Sequence, residues 1–174
     1  MNKELQTALI KSTKHYLSFS EHEVPMPNAY VLDKRASSVN RILLEFGITD
    51  DDMAIGDASI LANEGVFEKT EYDATLCHEL GHYIIYCTRP HRPTDHWKYL
   101  LTNEVAADRE GLKLFVRSGK RSIAYLILFF ENFPDLLKKI CRTKSYQKLW
   151  LYSKAMANNF LRITAFTYYS LKCS

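Results

Sequence analysis

The chain has few glycines, prolines and cysteines, and it has no long apolar run. Its 174 residues include 6 Gly and 5 Pro, too few for a collagen-like or low-complexity protein or for long flexible linkers. The 4 cysteines form no Cys-x-x-Cys pair, which excludes a zinc knuckle and a thioredoxin-type motif. No apolar run approaches the roughly 18 residues of a membrane span, and residues 1–19 lack the apolar stretch of a secretory signal. We expect a cytoplasmic protein with no membrane contact, whose cysteines are reduced and buried.

The overall composition is that of an ordinary globular domain. Hydrophobic residues make up 47% of the chain and charged residues 25%, which gives a net charge of +3. Residues 1–75 carry 7 Lys/Arg and 13 Asp/Glu, whereas residues 76–174 carry 16 and 7. This basic surplus is spread thinly and contains no patch with interleaved aromatic residues, so a nucleic-acid partner is disfavoured but stays open. The oligomeric state is not indicated.

The hydrophobic pattern predicts an α+β protein that is mostly α, with a small β element just before its central helix. We expect a single domain over residues 1–174, with a core at about 50–120 and a helical C-terminal subdomain at 121–174. Predicted helices cover residues 2–19, 36–46, 70–88 and 102–117, with a turn at 50–52 and a break at 132–134 in the later helices. Two short apolar pieces, 58–61 and 65–67, are expected to form strands or a strand and a loop.

The helix predicted at 70–88 contains the pentapeptide His78-Glu79-Leu80-Gly81-His82, an HExxH pattern. Residues four apart on a helix lie on one face, so His78 and His82 can reach a single ion. Neutral imidazole is a natural ligand of Zn²⁺. Glu79 is rotated away from the histidines and can instead accept a proton from a zinc-bound water as the general base.

Two histidines leave a catalytic zinc one protein ligand short. Glu104 lies 22 residues after His82 on the next predicted helix, with Asp108 one turn further on. Glu104 would complete a His₂Glu site with an open fourth position, which is the catalytic arrangement. Asp108 is placed to accept a hydrogen bond from the outer ring nitrogen of a ligating histidine.

Other residues stay open as rivals or helpers. An extended zincin signature needs glycine and histidine where this chain has Ile85 and Thr88, so that subclass is disfavoured. Asp95 is an alternative third ligand, and the loop histidines and their neighbours could face a substrate oxyanion. These loop residues are His91, Arg92, His96 and Tyr99. His15 and His22 are expected to be structural or surface residues.

The HELGH sequence at 78–82 with Glu104-Val-Ala-Ala-Asp108 resembles the gluzincin-type metallopeptidases, in which the glutamate of ExxxD is the third zinc ligand. Similar compact groups are the ImmA/IrrE-type regulatory peptidases, the minigluzincins and the zincin domain of ArdC-type antirestriction proteins. The last also resembles this chain at Phe67 and Tyr72-Asp-Ala-Thr-Leu-Cys-His-Glu79. The likeness covers about residues 57–119.

The resemblance implies a zincin-like fold and zinc-dependent hydrolysis of a protein or peptide substrate. It also implies an edge strand that binds substrate, expected here at 57–61 or 66–67. Two non-catalytic alternatives remain. Zinc could stabilise a regulatory or antirestriction-like interaction protein, or an exposed apolar patch at 123–130 and 160–169 could bind a partner, although core packing explains that patch more simply.

Overall fold

The computed structural model describes residues 2–32, 53–56, 59–88 and 96–126, and then residues 128, 137, 141–142, 153, 157 and 160–168. The predicted helix at 36–46, the turn at 50–52 and the break at 132–134 lie outside these residues. The described chain is mostly helical with one small sheet, which confirms the predicted α+β class at that level. None of its helices is long and apolar enough to cross a bilayer.

Helix α1 spans Lys3–Leu17 and begins at a side-chain cap. The Asn2 side-chain oxygen accepts hydrogen bonds from the backbone N–H groups of Glu4 and Leu5, which otherwise have no intrahelical partner. Leu9, Thr13 and Tyr16 recur at helical spacing and are buried, so this face packs against the rest of the protein.

The sheet has three strands, β1 (Asn28–Leu32), β2 (Met53–Gly56) and β3 (Ser59–Asn63), in the order β1-β3-β2. β3 is central, parallel to β1 and antiparallel to β2. The outer edge of β1 is covered by α1, because the Gln6 amide accepts from the Val31 N–H at 3.0 Å and donates to the Ala29 carbonyl. β1 is not predicted by the sequence pattern. Of the two alternatives for the apolar pieces, a strand and a loop is confirmed, because 59–61 lies in β3 and 65–67 lies in a 3₁₀ turn, Glu64–Glu68.

Two antiparallel helices, α2 (Tyr72–Thr88) and α3 (His96–Arg117), form the centre of the molecule. α2 ends at Thr88, as predicted, and it packs against both α3 and β2. α3 begins at His96 rather than at the predicted residue 102, and it ends as predicted at Arg117, two residues before Gly119, which has a φ of 87°. The predicted packing of the HExxH helix on a β element is confirmed.

One hydrophobic cluster joins α1, β1, β3 and the two central helices, and it extends from Leu9 on α1 to Phe166 in the helical residues 160–168. Tyr125, in the short helix α4 (Ser122–Tyr125), is fully buried and stacks on Phe166 with ring centroids 6.2 Å apart. Some of the aromatic residues of the later segments therefore pack in the hydrophobic core. The aromatic Phe160 and Tyr168 and the aliphatic Ile123 are exposed.

The cysteine prediction is confirmed at one position and wrong at two. Cys77 is buried and free, whereas Cys87 and Cys141 are free but exposed. Cys87 lies in the last turn of α2, where the helix has moved away from the core. Cys173 lies outside the described residues.

Candidate metal centre

Helix α2 places the two motif histidines on one face, one turn apart. The rings of His78 and His82 lie edge to face with centroids 4.7 Å apart. Their Nε2 atoms are only 3.2 Å apart, so both inner nitrogens point at the same small volume.

Helix α3 directs the Glu104 carboxylate at the same volume from the opposite side. Glu104 Oε2 lies 3.4 Å from His78 Nε2, and Oε1 lies 3.3 Å from His82 Nε2. With bonds of about 2.0–2.1 Å, a tetrahedral zinc ion separates its donor atoms by about 3.3–3.4 Å. Each oxygen of Glu104 therefore lies from one imidazole nitrogen at about the distance that separates two donor atoms of a zinc ion, and the three residues are the group of possible metal ligands found among the described residues.

Two glycines allow the helices to come this close. A Cβ atom on Gly81 would lie 2.1 Å from the carbonyl oxygen of Ala107 on α3, and one on Gly111 would lie 2.5 Å from the carbonyl oxygen of Cys77 on α2. No side chain fits at either contact. Because His82 and Glu104 lie beside these contacts, the glycines set the distance between the ligands.

Asp108 is buried and contacts the outer side of His78. Its Oδ1 atom lies 2.8 Å from His78 Nδ1, the hydrogen-bond geometry expected from the sequence. A carboxylate can only accept, so this contact places a proton on Nδ1 and makes Nε2, which faces Glu104 and His82, the ring nitrogen that is available to a metal ion.

An arginine that the sequence analysis missed also enters this site. Arg162, in the helical residues 160–168, donates from Nε to Asp108 Oδ2 at 2.6 Å and from Nη2 to Oδ1 at 2.9 Å. Its Nη1 atom lies 3.6 Å from Glu104 Oε2. No motif links an arginine 54 positions after Asp108 to the HExxH pattern, and only tertiary packing reveals it.

The charges in the site shift the pKa values of its members. Burial lowers and the charge of Asp108 raises the pKa of His78, with a net rise to about 10. Burial raises and hydrogen bonds from the two histidines lower the pKa of Glu104, with a net fall. Burial also raises the pKa of Asp108 while the hydrogen bond from Arg162 lowers it, again with a net fall. In the metal-free protein, the positive charge of protonated His78 thus partly balances the negative charges of Glu104 and Asp108.

Glu79 lies next to the ligands but is not one of the three. Its side chain is half-buried, and burial raises the pKa of its carboxyl group, while the charges of His78 and His82 act to lower it. A carboxylate with a raised pKa beside a metal is suited to accept a proton near neutral pH.

The side chains of the other candidate ligands and helpers are not described. His91, Arg92 and Asp95 lie outside the described residues, and the side chains of His96 and Tyr99 are also not described. His15 packs its ring against Phe19, with centroids 5.2 Å apart, as expected of a structural residue.

No protein-family model, curated protein or solved structure matches this chain. The geometry of its own residues therefore carries the functional argument.

Proposed function

We propose that this protein is a zinc-dependent metallopeptidase, with His78, His82 and Glu104 as the metal ligands and Glu79 as the general base. The observation that carries the proposal is the convergence of these three side chains: the two imidazole Nε2 atoms lie 3.2 Å apart, and each lies 3.3–3.4 Å from one oxygen of Glu104, close to the donor spacing around tetrahedral zinc. Two imidazoles and one carboxylate are also the donor set of catalytic zinc sites in peptidases.

The surroundings of the ligands support a catalytic rather than a structural site. A structural zinc normally has four protein ligands, whereas three ligand residues converge in the described part of the chain. A structural site also has no use for an acid with the placement of Glu79. Zinc bound here supplies Lewis acidity and lowers the pKa of a coordinated water to about 7. Glu79 takes the proton of the attacking water and then delivers it to the leaving amine.

Strand β2 is the element that we assign to substrate binding. The earlier expectation for residues 57–61 is wrong, because β3 is paired on both sides and has no free edge, and residues 66–67 are not a strand. β1 is covered by Gln6, whereas among the described residues β2 pairs with β3 alone and packs against α2. An extended peptide added to β2 would lie along the helix that carries the motif.

The fold that follows from this assignment is zincin-like: a motif helix beside a small mixed sheet with a substrate-binding edge strand. The substrate class is a protein or peptide in extended conformation. A cytoplasmic location suits the free thiols of Cys77, Cys87 and Cys141, because disulfides rarely persist there.

The deciding experiment compares the wild type with Glu79→Gln. Both proteins should bind one zinc ion per chain, measured by elemental analysis after dialysis, but only the wild type should cleave a mixture of unfolded proteins. Glu68→Gln, an exposed glutamate outside the site, is the matched control and should keep both properties. Cleavage by the Glu79 variant at the wild-type rate would refute the role of Glu79.

The same measurements separate the non-catalytic alternative. A zinc ion whose removal unfolds the chain, together with no cleavage of any substrate by the wild type, would show a structural zinc in an interaction protein.

A further inference from the structure

Arg162 reaches the candidate metal centre from a helix distant in sequence. In the helical residues 160–168, Arg162, Ile163 and Phe166 lie on one face, with Phe166 buried against Tyr125. The Arg162 side chain is 14% exposed. A guanidinium that loses this much hydration needs partners of opposite charge.

The main partner of Arg162 is Asp108, and the arginine donates hydrogen bonds to both of its carboxylate oxygens. Nε donates to Oδ2 at 2.6 Å, and Nη2 donates to Oδ1 at 2.9 Å. This paired geometry fixes the plane of the carboxylate as well as its position. Oδ1 is also the atom that accepts from His78 Nδ1 at 2.8 Å, so one oxygen holds both the arginine and the histidine.

A second contact connects the same guanidinium to a ligand directly. Nη1 lies 3.6 Å from Glu104 Oε2, and Glu104 precedes Asp108 by one turn of α3. Arg162 thus spans two carboxylates of α3, and one of them holds His78 while the other faces the metal volume.

We propose that Arg162 is a positioning residue of the metal centre. Its guanidinium group holds the Asp108 carboxylate in place, and Asp108 in turn keeps a proton on His78 Nδ1 and directs His78 Nε2 at the ion. This inference rests on the zinc site proposed above. It makes residues 160–168 a part of the centre, although the HExxH and ExxxD segments contain all the ligands.

Two effects of Arg162 on zinc binding oppose each other. Its positive charge repels a divalent cation, so this effect alone would make binding tighter once the charge is removed. Its hydrogen bonds to Asp108 act in the opposite direction. Without them Asp108 would no longer be held against His78, and loss of such an outer partner of a ligating histidine weakens metal binding by about 10–100-fold. We expect the positioning of Asp108 to outweigh the charge repulsion, so that loss of Arg162 weakens zinc binding.

The test measures the zinc dissociation constant by competition with a chromophoric chelator for the wild type, Arg162→Met, Arg162→Lys and Arg142→Met. Both Arg162 variants should bind zinc at least about tenfold more weakly, because lysine keeps the charge but cannot span both oxygens. Arg142 is exposed, and its variant should bind as the wild type does. Wild-type affinity in Arg162→Lys, or unchanged or tighter binding in Arg162→Met, would overturn the proposal.

A double-mutant comparison tests whether Arg162 acts through Asp108. Asp108→Asn should weaken zinc binding, and adding Arg162→Met to it should cause little further loss, because the carboxylate that the arginine holds is already gone. Losses that simply multiply would contradict the mechanism. If Arg162→Met does not fold, as judged by circular dichroism, Arg162→Lys replaces it in the same cycle.

The spectrum of the cobalt-substituted protein gives a readout that a merely structural role would not move. The visible absorption bands of Co²⁺ depend on its ligand geometry, so they should change in Arg162→Lys and stay unchanged in Arg142→Met. Absence of zinc and cobalt binding in the wild type would reject the metal site itself. Normal wild-type binding with unaltered Arg162 variants would reject this inference alone.

Discussion

Gly81 on α2 lies directly against the backbone carbonyl of Ala107 on α3, and a Cβ atom at Gly81 would come within 2.1 Å of that oxygen. The obstacle is backbone, so it cannot be relieved by rotation of a side chain. The spacing of the two helices, and with it the distance from His82 to Glu104, depends on the absence of a side chain at position 81.

We therefore expect Gly81→Ala to separate the helices. The free energy of unfolding should fall by about 1–3 kcal/mol, as for other overpacked sites, despite the better helix propensity of alanine. Zinc binding should weaken at the same time. Urea denaturation and zinc competition measure the two effects.

Gly119→Ala is the control for this variant. Gly119 has a φ of 87°, and a Cβ atom added there would meet no other atom within 4 Å, so its variant should lose about 1 kcal/mol of stability through backbone strain alone. Its zinc affinity should remain that of the wild type. Equal zinc affinity in the Gly81 variant would show that the helix spacing does not set the ligand distance.

The stability of the metal-free protein should depend on pH in a defined direction. The pKa of His78 rises from 6.5 to about 10, mainly because the charge of Asp108 outweighs burial, so its contribution is complete below pH 6.5 and is lost as the pH approaches 10. The pKa values of Glu104 and Asp108 are lowered from 4.5 and 3.8, so their contributions are lost as the pH falls below those values. We expect the highest melting temperature in chelator between about pH 5 and 6.5.

Two further samples check this assignment. His78→Gln in chelator should lose the part of the decline that lies between pH 6.5 and about 9, since the proton on His78 is then absent. Zinc-loaded wild type should lose it too, because a metal ion replaces the proton on His78. A metal-free wild type whose melting temperature rises over this pH range would contradict the interaction between His78 and Asp108.

Zinc should stabilise the folded protein in proportion to its binding. At a free concentration 100 times the dissociation constant, stabilisation of about 2.7 kcal/mol is expected. His82→Ala should abolish most of this gain, whereas Glu79→Gln should keep it, because Glu79 is not one of the three ligands. His15→Ala, on α1, serves as the histidine control in differential scanning calorimetry, and a loss of the zinc effect there would point to a different site.

Gln6 should contribute more to the stability of the protein than a half-buried glutamine on a helix normally does, because it pairs with the backbone of β1. Its amide pairs with the Ala29 carbonyl and the Val31 N–H, which belong to buried residues. Gln6→Met keeps the length of the side chain but leaves both backbone groups unpaired, which should cost about 1–3 kcal/mol. An exposed edge should also promote self-association, measured by light scattering. Lys11→Met, on the exposed face of α1, should change neither property.

The parts of this molecule that follow local rules were predictable from sequence. The four-residue spacing of His78 and His82 predicts that they share one face of a helix, and the same spacing from Glu104 predicts that Asp108 lies near them. The end of α3 close to Gly119 was also predictable. β1 was missed because its five residues pair with a strand far along the chain and show no clear alternation. Arg162 was missed because only the packing of Phe166 on Tyr125 brings it to Asp108.

The occupied edge of β1 has a consequence for the polarity of any bound chain. With β1 covered by Gln6, the sheet of the described residues offers β2 for extension, and the more stable antiparallel pairing with β2 sets one direction of travel. A polypeptide held in that way would run from amino to carboxyl end in the same sense as β1 and β3. A polypeptide in the reverse direction would form the slightly less stable parallel pairing, so the edge of β2 would favour one orientation of a bound peptide before any side chain is recognised.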